Sequence, residues 1–189
     1  MNQKTKKAIR ILKKGGIGVM PTDTIYGLVG SAFSRRAILR IYKIRKRNSK
    51  KKLIILISAI EEIEKFGVKI NREQIKVLKK FWPHYVKATW GRPEPVSIVV
   101  NGIAFRLPAK KSLLEILKKT GPLVAPSANP EGLPTARNIR EAKKYFGGGV
   151  DFYLAGGTLK GQPSALLAID KNGGIKILRG QIPKSLEKA

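Results

Sequence analysis

The chain has 189 residues, 42% of them hydrophobic, which is enough for a sizeable core, and we expect a single domain over residues 1–189. Its 39 lysines and arginines against 12 acidic residues give a formal charge of +27. This charge predicts polyanionic partners such as RNA or ATP, unless it merely reflects a lysine-rich proteome. Cysteine is absent, which excludes disulfides and thiolate chemistry and is consistent with a cytoplasmic location. No apolar run approaches the roughly 20 residues that span a bilayer.

The first half of the chain is predicted to alternate helices with short apolar strands. The uninterrupted apolar run at Leu53–Ile57 is typical of a strand that is covered on both faces. Ser58 and Glu61 have the spacing of a capping box, which predicts a helix start. The other predicted elements are a helix over Lys4–Lys14, a strand over Ile17–Met20, a helix capped by Ser34 and a helix over Arg72–Phe81.

The second half is predicted to contain two hairpins. Asn101-Gly102 between the β-prone runs Ser97–Val100 and Ala104–Leu107 is a strong hairpin signal. The other predicted elements are a helix starting with a capping box of Ser112 and Glu115, a strand over Leu123–Ala125, a helix capped by Asn138, and a hairpin of Leu166–Ile169 with Ile175–Leu178. Hairpins mixed with strand–helix alternation predict an α/β domain with a mixed sheet.

Several common catalytic layouts are excluded by the residues present. Histidine occurs once, at His84 in an aromatic-rich stretch, so a histidine-rich metal site is impossible and a packed or surface histidine is expected. The segment 156–161 has the glycine spacing of a P-loop, but Gln162 and Pro163 stand where that motif needs lysine and serine or threonine. The small number of acidic residues disfavours an all-carboxylate two-metal centre. We therefore assign no catalytic acid, base or nucleophile.

Five short segments follow the order of motifs in one known family. They are Pro21–Leu28 (PTDTIYGL), Arg45–Arg47, Pro126–Asn129, Gln162–Ser164 and Leu178–Gly180, with Phe81–Pro83 and Phe105–Pro108 between them. Because these motifs occur in the family's order, the chain resembles a short, single-domain member of the TsaC/YrdC family, the threonylcarbamoyl-AMP synthases. The resemblance implies a YrdC-like twisted mixed sheet flanked by helices, with a positively charged concave face.

The resemblance also implies an activity and its partners. Members of this family combine L-threonine, bicarbonate or CO₂, and ATP into threonylcarbamoyl-AMP and pyrophosphate, for threonylcarbamoyladenosine modification of tRNA. Magnesium is expected to accompany ATP, and tRNA and the transfer machinery are expected partners. Such a reaction depends on positioning and on positive charge around the phosphates, which fits a chain without an evident catalytic nucleophile.

Nine residues carry over from the family motifs as substrate contacts. The expected ATP-binding residues are Arg45, Arg47, Ser127, Asn129 and Arg179, and the expected threonine-binding residues are Thr24, Lys51, Arg106, Ser127 and Ser164. Guanidinium forks suit both phosphate and carboxylate. Without the resemblance, residues 43–52 would be interpreted as a solvated basic loop, Ser127 and Asn129 as turn residues before Pro130, and Tyr26 as a core aromatic.

Five positions depart from the family pattern. They are Arg45 in place of lysine, Asn48 in place of proline, His84 in place of glycine, Glu131 in place of serine and Ala165 in place of threonine. Together they leave open the alternative of a non-catalytic, diverged YrdC-like RNA-binding protein. A third alternative is a related carbamoyl-adenylate activity, as in the YrdC-like domain of hydrogenase-maturation proteins.

Overall fold

A computed structural model describes residues 1–82 and 95–181 and shows a nine-stranded mixed sheet flanked by helices. The helices are α1 (Gln3–Lys13), α2 (Arg35–Ile44), α3 (Arg72–Phe81), α4 (Lys111–Thr120) and α5 (Ile139–Phe146), with 3₁₀-helices at Ile60–Phe66 and Gly147–Gly149. The strands are β1 (Ile17–Pro21), β2 (Tyr26–Ser31), β3 (Ile55–Leu56), β4 (Val96–Val100), β5 (Ile103–Arg106), β6 (Leu123–Val124), β7 (Phe152–Tyr153), β8 (Ala165–Ile169) and β9 (Ile175–Arg179).

The sheet has the strand order β7-β1-β2-β6-β3-β5-β4-β8-β9. Both predicted hairpins are present, because β4 pairs antiparallel with β5 and β8 pairs antiparallel with β9. β3 with β5 and β4 with β8 are parallel pairs. The predicted α/β class with a mixed sheet is therefore confirmed.

Side-chain alternation along the strands divides the core between the two faces of the sheet. Val19 and Leu28 belong to the larger apolar cluster, whereas their neighbours Met20 and Val29 belong to the smaller one. The smaller cluster also contains residues of α1 and α4, so these two helices cover that face. Within residues 1–82 and 95–181, no helix combines the length and hydrophobicity of a membrane-spanning segment.

Four helices begin at residues whose side chains accept a backbone hydrogen bond. Asn2, Ser34 and Asn138 each cap a helix in this way, the last two as predicted. Asn71 and Gln74 form a reciprocal capping box at the start of α3. These local signals explain why the bounds of α3 agree with those predicted from sequence.

The two predicted capping boxes are wrong. At the first, the amide and hydroxyl of Ser58 donate to Glu62 at 2.6 and 3.0 Å, so Glu62 and not Glu61 satisfies this segment. The chain then forms a 3₁₀-helix whose N-cap, Ala59, makes no side-chain hydrogen bond. At the second, the amide of Leu113 donates to the carbonyl of Lys110, so α4 begins before Ser112 can act as its cap.

Two strands, β2 and β7, were not expected, and β3 is shorter than its apolar run. Gly27 and Gly30 disfavour a strand in an isolated sequence, because glycine weakens strand interiors. In the fold, a Cβ at Gly30 would lie 3.1 Å from both Ala37 Cβ and Ile41 Cδ1. Glycine therefore permits the close packing of α2 against β2, which local propensity alone does not reveal.

Asp151 fastens the segment after α5 to β1 and α2. Its Oδ2 accepts hydrogen bonds from the Ile17 amide and from Arg40 Nη1, both at 2.7 Å. Burial alone would raise the pKa of Asp151, but the hydrogen bonds from Arg40 and Ile17 lower it below the ordinary value. A depressed carboxyl pKa stabilises the fold above the unfolded pKa and loses that contribution as the pH falls through the folded pKa.

We expect Asp151→Asn to lower the free energy of unfolding at pH 7 by about 1 kcal/mol, a modest value because the pair is one-third exposed. The difference from the unsubstituted protein should shrink steadily below pH 4, as measured by denaturant unfolding across a pH series. Glu73→Gln, which removes an exposed pair with Lys76, is the matched control and should change stability much less. A difference for Asp151→Asn that stays constant down to pH 2 would contradict this assignment.

Candidate functional site

A cavity of about 400 Å³ opens among the ends of the central strands and the loops that follow them. The loop between β1 and β2, the end of β5 and the loop after β6 all contribute to its wall. Seven of the nine residues predicted from the motifs line it, namely Thr24, Arg45, Arg47, Arg106, Ser127, Ser164 and Arg179. The fold thus brings together residues from segments that are far apart in the sequence.

The turn between β1 and β2, Thr22–Ile25, is held by its own hydroxyl groups. Thr22 Oγ1 donates to the carbonyl of Ile25 at 2.6 Å and accepts from the amide of Thr24 at 3.2 Å. Thr24 Oγ1 lies 3.1 Å from Thr22 Oγ1 and accepts from Arg106 Nη1 at 3.0 Å. Because the Thr22 hydrogen is already used on Ile25, Thr24 donates to Thr22.

Arg106 is buried at the end of β5 and pairs with a carboxylate. Its Nη2 lies 2.7 Å from Asp23 Oδ2, and both side chains are nearly inaccessible to solvent. Asp23 is not among the residues predicted from the motifs, although it is an acidic residue within a hydroxyl-rich motif of a chain that has few acidic residues. The predicted threonine contact at Arg106 therefore carries a carboxylate partner of its own.

Arg45 lies at the C-terminal end of α2 and is only 3% exposed. Its Nε donates to the carbonyl of Asn129 at 2.9 Å, and its Nη2 donates to Ser127 Oγ at 3.2 Å. Burial, followed by repulsion from Arg47, lowers the pKa of Arg45 to about 10. The buried cation is thus bound by neutral acceptors, and it joins the end of α2 to the loop after β6.

Asn129 lies behind the cavity wall instead of lining it. Its Nδ2 donates to the carbonyls of Leu133 at 2.6 Å and Pro130 at 2.9 Å, and its Oδ1 accepts from Arg45 at 3.4 Å. The amide side chain is therefore committed to holding the loop in shape. Ser127, by contrast, lines the cavity and pairs in a β-bridge with Gly27.

Glu131 attracts the cations of the loop at 45–52. Its carboxylate accepts from Lys51 Nζ at 2.5 Å and from the amide of Asn48 at 3.2 Å, and it lies 3.7 Å from Arg47 Nη1. The hydrogen bond from Lys51, followed by that from Asn48, lowers the pKa of Glu131. The negative charge at this position is therefore neutralised by its neighbours.

Lys52, and not Lys51, lines the cavity. Lys51 is 58% exposed and points to Glu131, so the fold does not bring it to the predicted threonine site. Lys52 Nζ donates to the carbonyl of Gly102 in the β4–β5 hairpin at 2.6 Å. Within a run of lysines the motif alone could not distinguish these two positions, because only the direction of the chain after the loop decides which one faces inward.

Ser164 and Arg179 complete the wall from β8 and β9. Ser164 Oγ lies 2.8 Å from Ser97 Oγ, and Arg179 Nη2 donates to the carbonyl of Ser164 at 3.0 Å. Burial, followed by repulsion from Arg106 and Arg47, lowers the pKa of Arg179. The guanidinium groups are thus close enough to act on one another electrostatically.

Tyr26 belongs to the core, as expected, and is fully buried. Its hydroxyl accepts from the amide of Gly156 and donates to the carbonyl of Gly157, both at 2.8 Å. The Tyr26 hydroxyl therefore anchors the glycine-rich segment 156–161, which has the glycine spacing of a P-loop but not its lysine. Pro83 of the predicted motif and His84 lie outside the described residues.

The arrangement is suited to an anionic ligand together with a small polar one. Four arginines and one lysine line the cavity, and Thr24, Ser127 and Ser164 add hydroxyl groups. Guanidinium groups in a partly buried wall bind phosphate oxygens more strongly than they would in open water. Among the described residues, no group of three histidine, cysteine, aspartate or glutamate side chains is placed to hold a metal ion.

Comparison with known proteins identifies one family. Residues 10–180 match the family model Sua5/YciO/YrdC, which is described as telomere recombination. The chain is 32% identical over 158 residues to the threonylcarbamoyl-AMP synthase of Hahella chejuensis, covering 80% of this chain and 85% of that protein. It is 28% identical over 192 residues to the threonylcarbamoyl-AMP synthase of Pyrococcus abyssi, covering 98% of this chain and 56% of that protein.

A solved structure shows the same relationship. Pyrococcus abyssi Sua5 complexed with L-threonine matches with a TM-score of 0.77 and 26% identity, over 93% of this chain and 53% of that chain. This chain therefore spans just over half the length of its Pyrococcus relative.

Proposed function

This chain belongs to the Sua5/YciO/YrdC family, and we propose that it is a threonylcarbamoyl-AMP synthase acting on L-threonine, bicarbonate or CO₂, and ATP. The observation that carries the proposal is the convergence of four arginines and four hydroxyl side chains on one cavity. The two similar synthases and the L-threonine complex of the Pyrococcus protein support the same reading.

Arg47 and Arg179 are the proposed contacts to the triphosphate. Both line the cavity, and neither has a buried carboxylate partner among the described residues. Arg47 Nε is buried and has no hydrogen-bond acceptor among the described residues. A phosphate oxygen would supply the missing acceptor, and Ser127 is placed to add a neutral donor.

Arg45 and Asn129 act differently in this proposal. Arg45 donates hydrogen bonds to Asn129 and Ser127, which hold the end of α2 against the loop after β6 and place Ser127 at the wall. Arg45 also contributes a buried positive charge to the cavity. Asn129 therefore supports ATP binding through the shape of its loop.

The proposed threonine subsite consists of Thr24, Arg106 and Ser164, with Lys52 taking the place first expected for Lys51. Thr24 and Arg106 are joined by a hydrogen bond, and Ser164 is held by the neighbouring strand residue Ser97. These groups offer both donors and acceptors, as an amino acid requires.

The proposed reaction needs little covalent chemistry from the protein. The threonine nitrogen bonds to the carbon of CO₂ and loses a proton, which gives a carbamate. A carbamate oxygen then attacks the α-phosphorus of ATP, the bond from that phosphorus to the bridging oxygen breaks, and pyrophosphate leaves. The arginines hold the two reactants together and stabilise the negative charge on the phosphates.

Magnesium would arrive with ATP. The carboxylates that contact cavity arginines, Asp23 and Glu131, are already engaged by Arg106 and Lys51. Because these carboxylates are already paired, phosphate oxygens and water would supply most of the ligands of the magnesium ion, which is a common arrangement for this ion. In this role the ion would neutralise charge on the phosphates.

We also propose that the protein is a single domain that acts in the cytoplasm, together with tRNA and the threonylcarbamoyl transfer machinery. The charge of +27 supports affinity for RNA. The same charge motivated the alternative of a non-catalytic RNA-binding protein, but the comparisons support the synthase. A hydrogenase-maturation role has no specific observation in its favour here.

Thermal unfolding with separate ligands tests the proposal. ATP with magnesium should raise the melting temperature in a concentration-dependent manner, and L-threonine with bicarbonate should raise it further. A short duplex RNA, measured across a salt series, serves as the comparison for non-specific polyanion binding. Stabilisation by RNA without any response to ATP or threonine would favour the non-catalytic alternative.

A further inference from the structure

Asp23 lies behind the cavity wall and touches it through Arg106. Asp23 Oδ2 is 2.7 Å from Arg106 Nη2, and the side chains are 11% and 6% exposed, respectively. Arg106 lines the cavity, whereas Asp23 does not. Any influence of Asp23 on a ligand is therefore exerted through the orientation and charge of Arg106.

The pairing distinguishes Arg106 from the other cavity arginines. Arg45 and Arg179 donate to neutral oxygens, and Arg47 makes a long, partly exposed contact with Glu131. Among the described residues, Arg106 is thus the cavity arginine that has a buried carboxylate in direct contact. In a site of low dielectric this contact cancels most of the field of the Arg106 charge.

Hydroxyl groups lie beside the pair. Thr24 Oγ1 accepts from Arg106 Nη1 and lies 3.1 Å from Thr22 Oγ1, whose own hydrogen is used on Ile25. A hydroxyl oxygen has two lone pairs, so Thr24 keeps one acceptor position for a ligand. Arg106 Nη2 is buried without a well-oriented hydrogen-bond partner in the described contacts. Thr24 and Arg106 therefore offer an acceptor beside donors, and the Arg106–Asp23 pair carries a net charge near zero.

The two proposed substrates need different electrostatic surroundings. A triphosphate is attracted to arginines whose charge is not cancelled, such as Arg47 and Arg179. An amino acid carries an amino group and a carboxylate, so it fits a balanced subsite with donors and acceptors side by side. If Arg106 were unpaired, it would add a further phosphate-binding cation and ATP would compete for the amino-acid position.

We propose that Asp23 is a positioning residue that, by orienting and neutralising Arg106, reserves this subsite for the amino acid and excludes the triphosphate. The inference rests on the proposed function, which it refines by dividing one cavity into a balanced subsite and a cationic one.

The test is Asp23→Asn, which keeps the size of the side chain and removes its charge. The KM for threonine should rise on the order of 10- to 100-fold, the loss expected when a buried ion pair no longer orients a binding group. The KM for ATP should stay the same or fall, because the cavity becomes more positive. General damage to the fold would raise both constants, so movement in opposite directions separates positioning from a structural role.

Asp170→Asn is the matched control, because it makes the same change in net charge. Asp170 is exposed and accepts hydrogen bonds from the amides of Asn172 and Gly174 in the β8–β9 turn, away from the proposed substrate contacts. Both KM values should remain unchanged in this variant. A fall in the KM for ATP in both variants would attribute the effect to total charge and would overturn the inference.

Calorimetric titration with tripolyphosphate makes the test independent of the synthase reaction. Asp23→Asn should bind tripolyphosphate as tightly as the unsubstituted protein or more tightly, even if no pyrophosphate release is found and the proposed function fails. Weaker tripolyphosphate binding, an unchanged KM for threonine, or equal rises in both KM values would each overturn the role of Asp23.

Discussion

Replacing Arg45 with alanine is expected to reduce threonine-dependent pyrophosphate release on the order of 100-fold or more and to destabilise the fold. The free energy of unfolding should fall by about 2–4 kcal/mol, because the carbonyl of Asn129 and the hydroxyl of Ser127 lose a buried donor and a cavity is left. Denaturant unfolding and a pyrophosphate assay on the same preparation measure the two effects.

Arg45→Lys is the informative companion, since lysine stands at this position in the family pattern. Lysine keeps the charge but lacks the fork that reaches both acceptors. We expect partial recovery of activity and incomplete recovery of stability. Full stability together with full activity in Arg45→Ala would show that the contact between α2 and the loop after β6 has no role in the site.

Replacing Arg47 with alanine is expected to have the opposite balance. The KM for ATP should rise on the order of 100-fold through loss of a phosphate contact. The free energy of unfolding should change by less than about 1 kcal/mol, because the ion pair with Glu131 is long and partly exposed. Initial rates at varied ATP, combined with denaturant unfolding, measure both quantities.

Glu131→Gln separates the arginine itself from its ion pair. If Arg47 acts by binding phosphate, loss of the Glu131 charge should leave the KM for ATP far below that of Arg47→Ala. Equal effects in the two variants would show instead that the Glu131 contact is what the site requires, and the assignment of Arg47 to ATP would be wrong.

Local sequence signals predicted those elements whose causes are local. The helix α3 agrees with its prediction because Asn71 and Gln74 cap it within one turn. The predicted capping box of Ser58 and Glu61 does not form, because the amide and hydroxyl of Ser58 both donate to the Glu62 carboxylate, four residues away. The strand β2 escaped prediction because Gly30 is required by the packing of α2 and not by the strand itself.

Seven of the nine residues predicted from the motifs line one cavity, but their arrangement there could not be predicted. The motif at 45–47 treats Arg45 and Arg47 alike, and both line the cavity. The fold nevertheless buries Arg45 against Ser127 and leaves Arg47 partly exposed beside Glu131. The choice of Lys52 over Lys51 likewise depends on contacts with distant residues, Gly102 and Glu131. The pairing of Asp23 with Arg106 joins two separate motifs, and no spacing rule within either one reveals it.

The most direct test of the proposed synthase activity is pyrophosphate release from ATP in the presence of magnesium and bicarbonate, with and without L-threonine. We expect release that depends on L-threonine, with L-serine as the specificity control, and a threonylcarbamoyl-AMP product detectable by mass spectrometry. Protein that is folded and binds ATP, yet releases no pyrophosphate with threonine, would contradict the account.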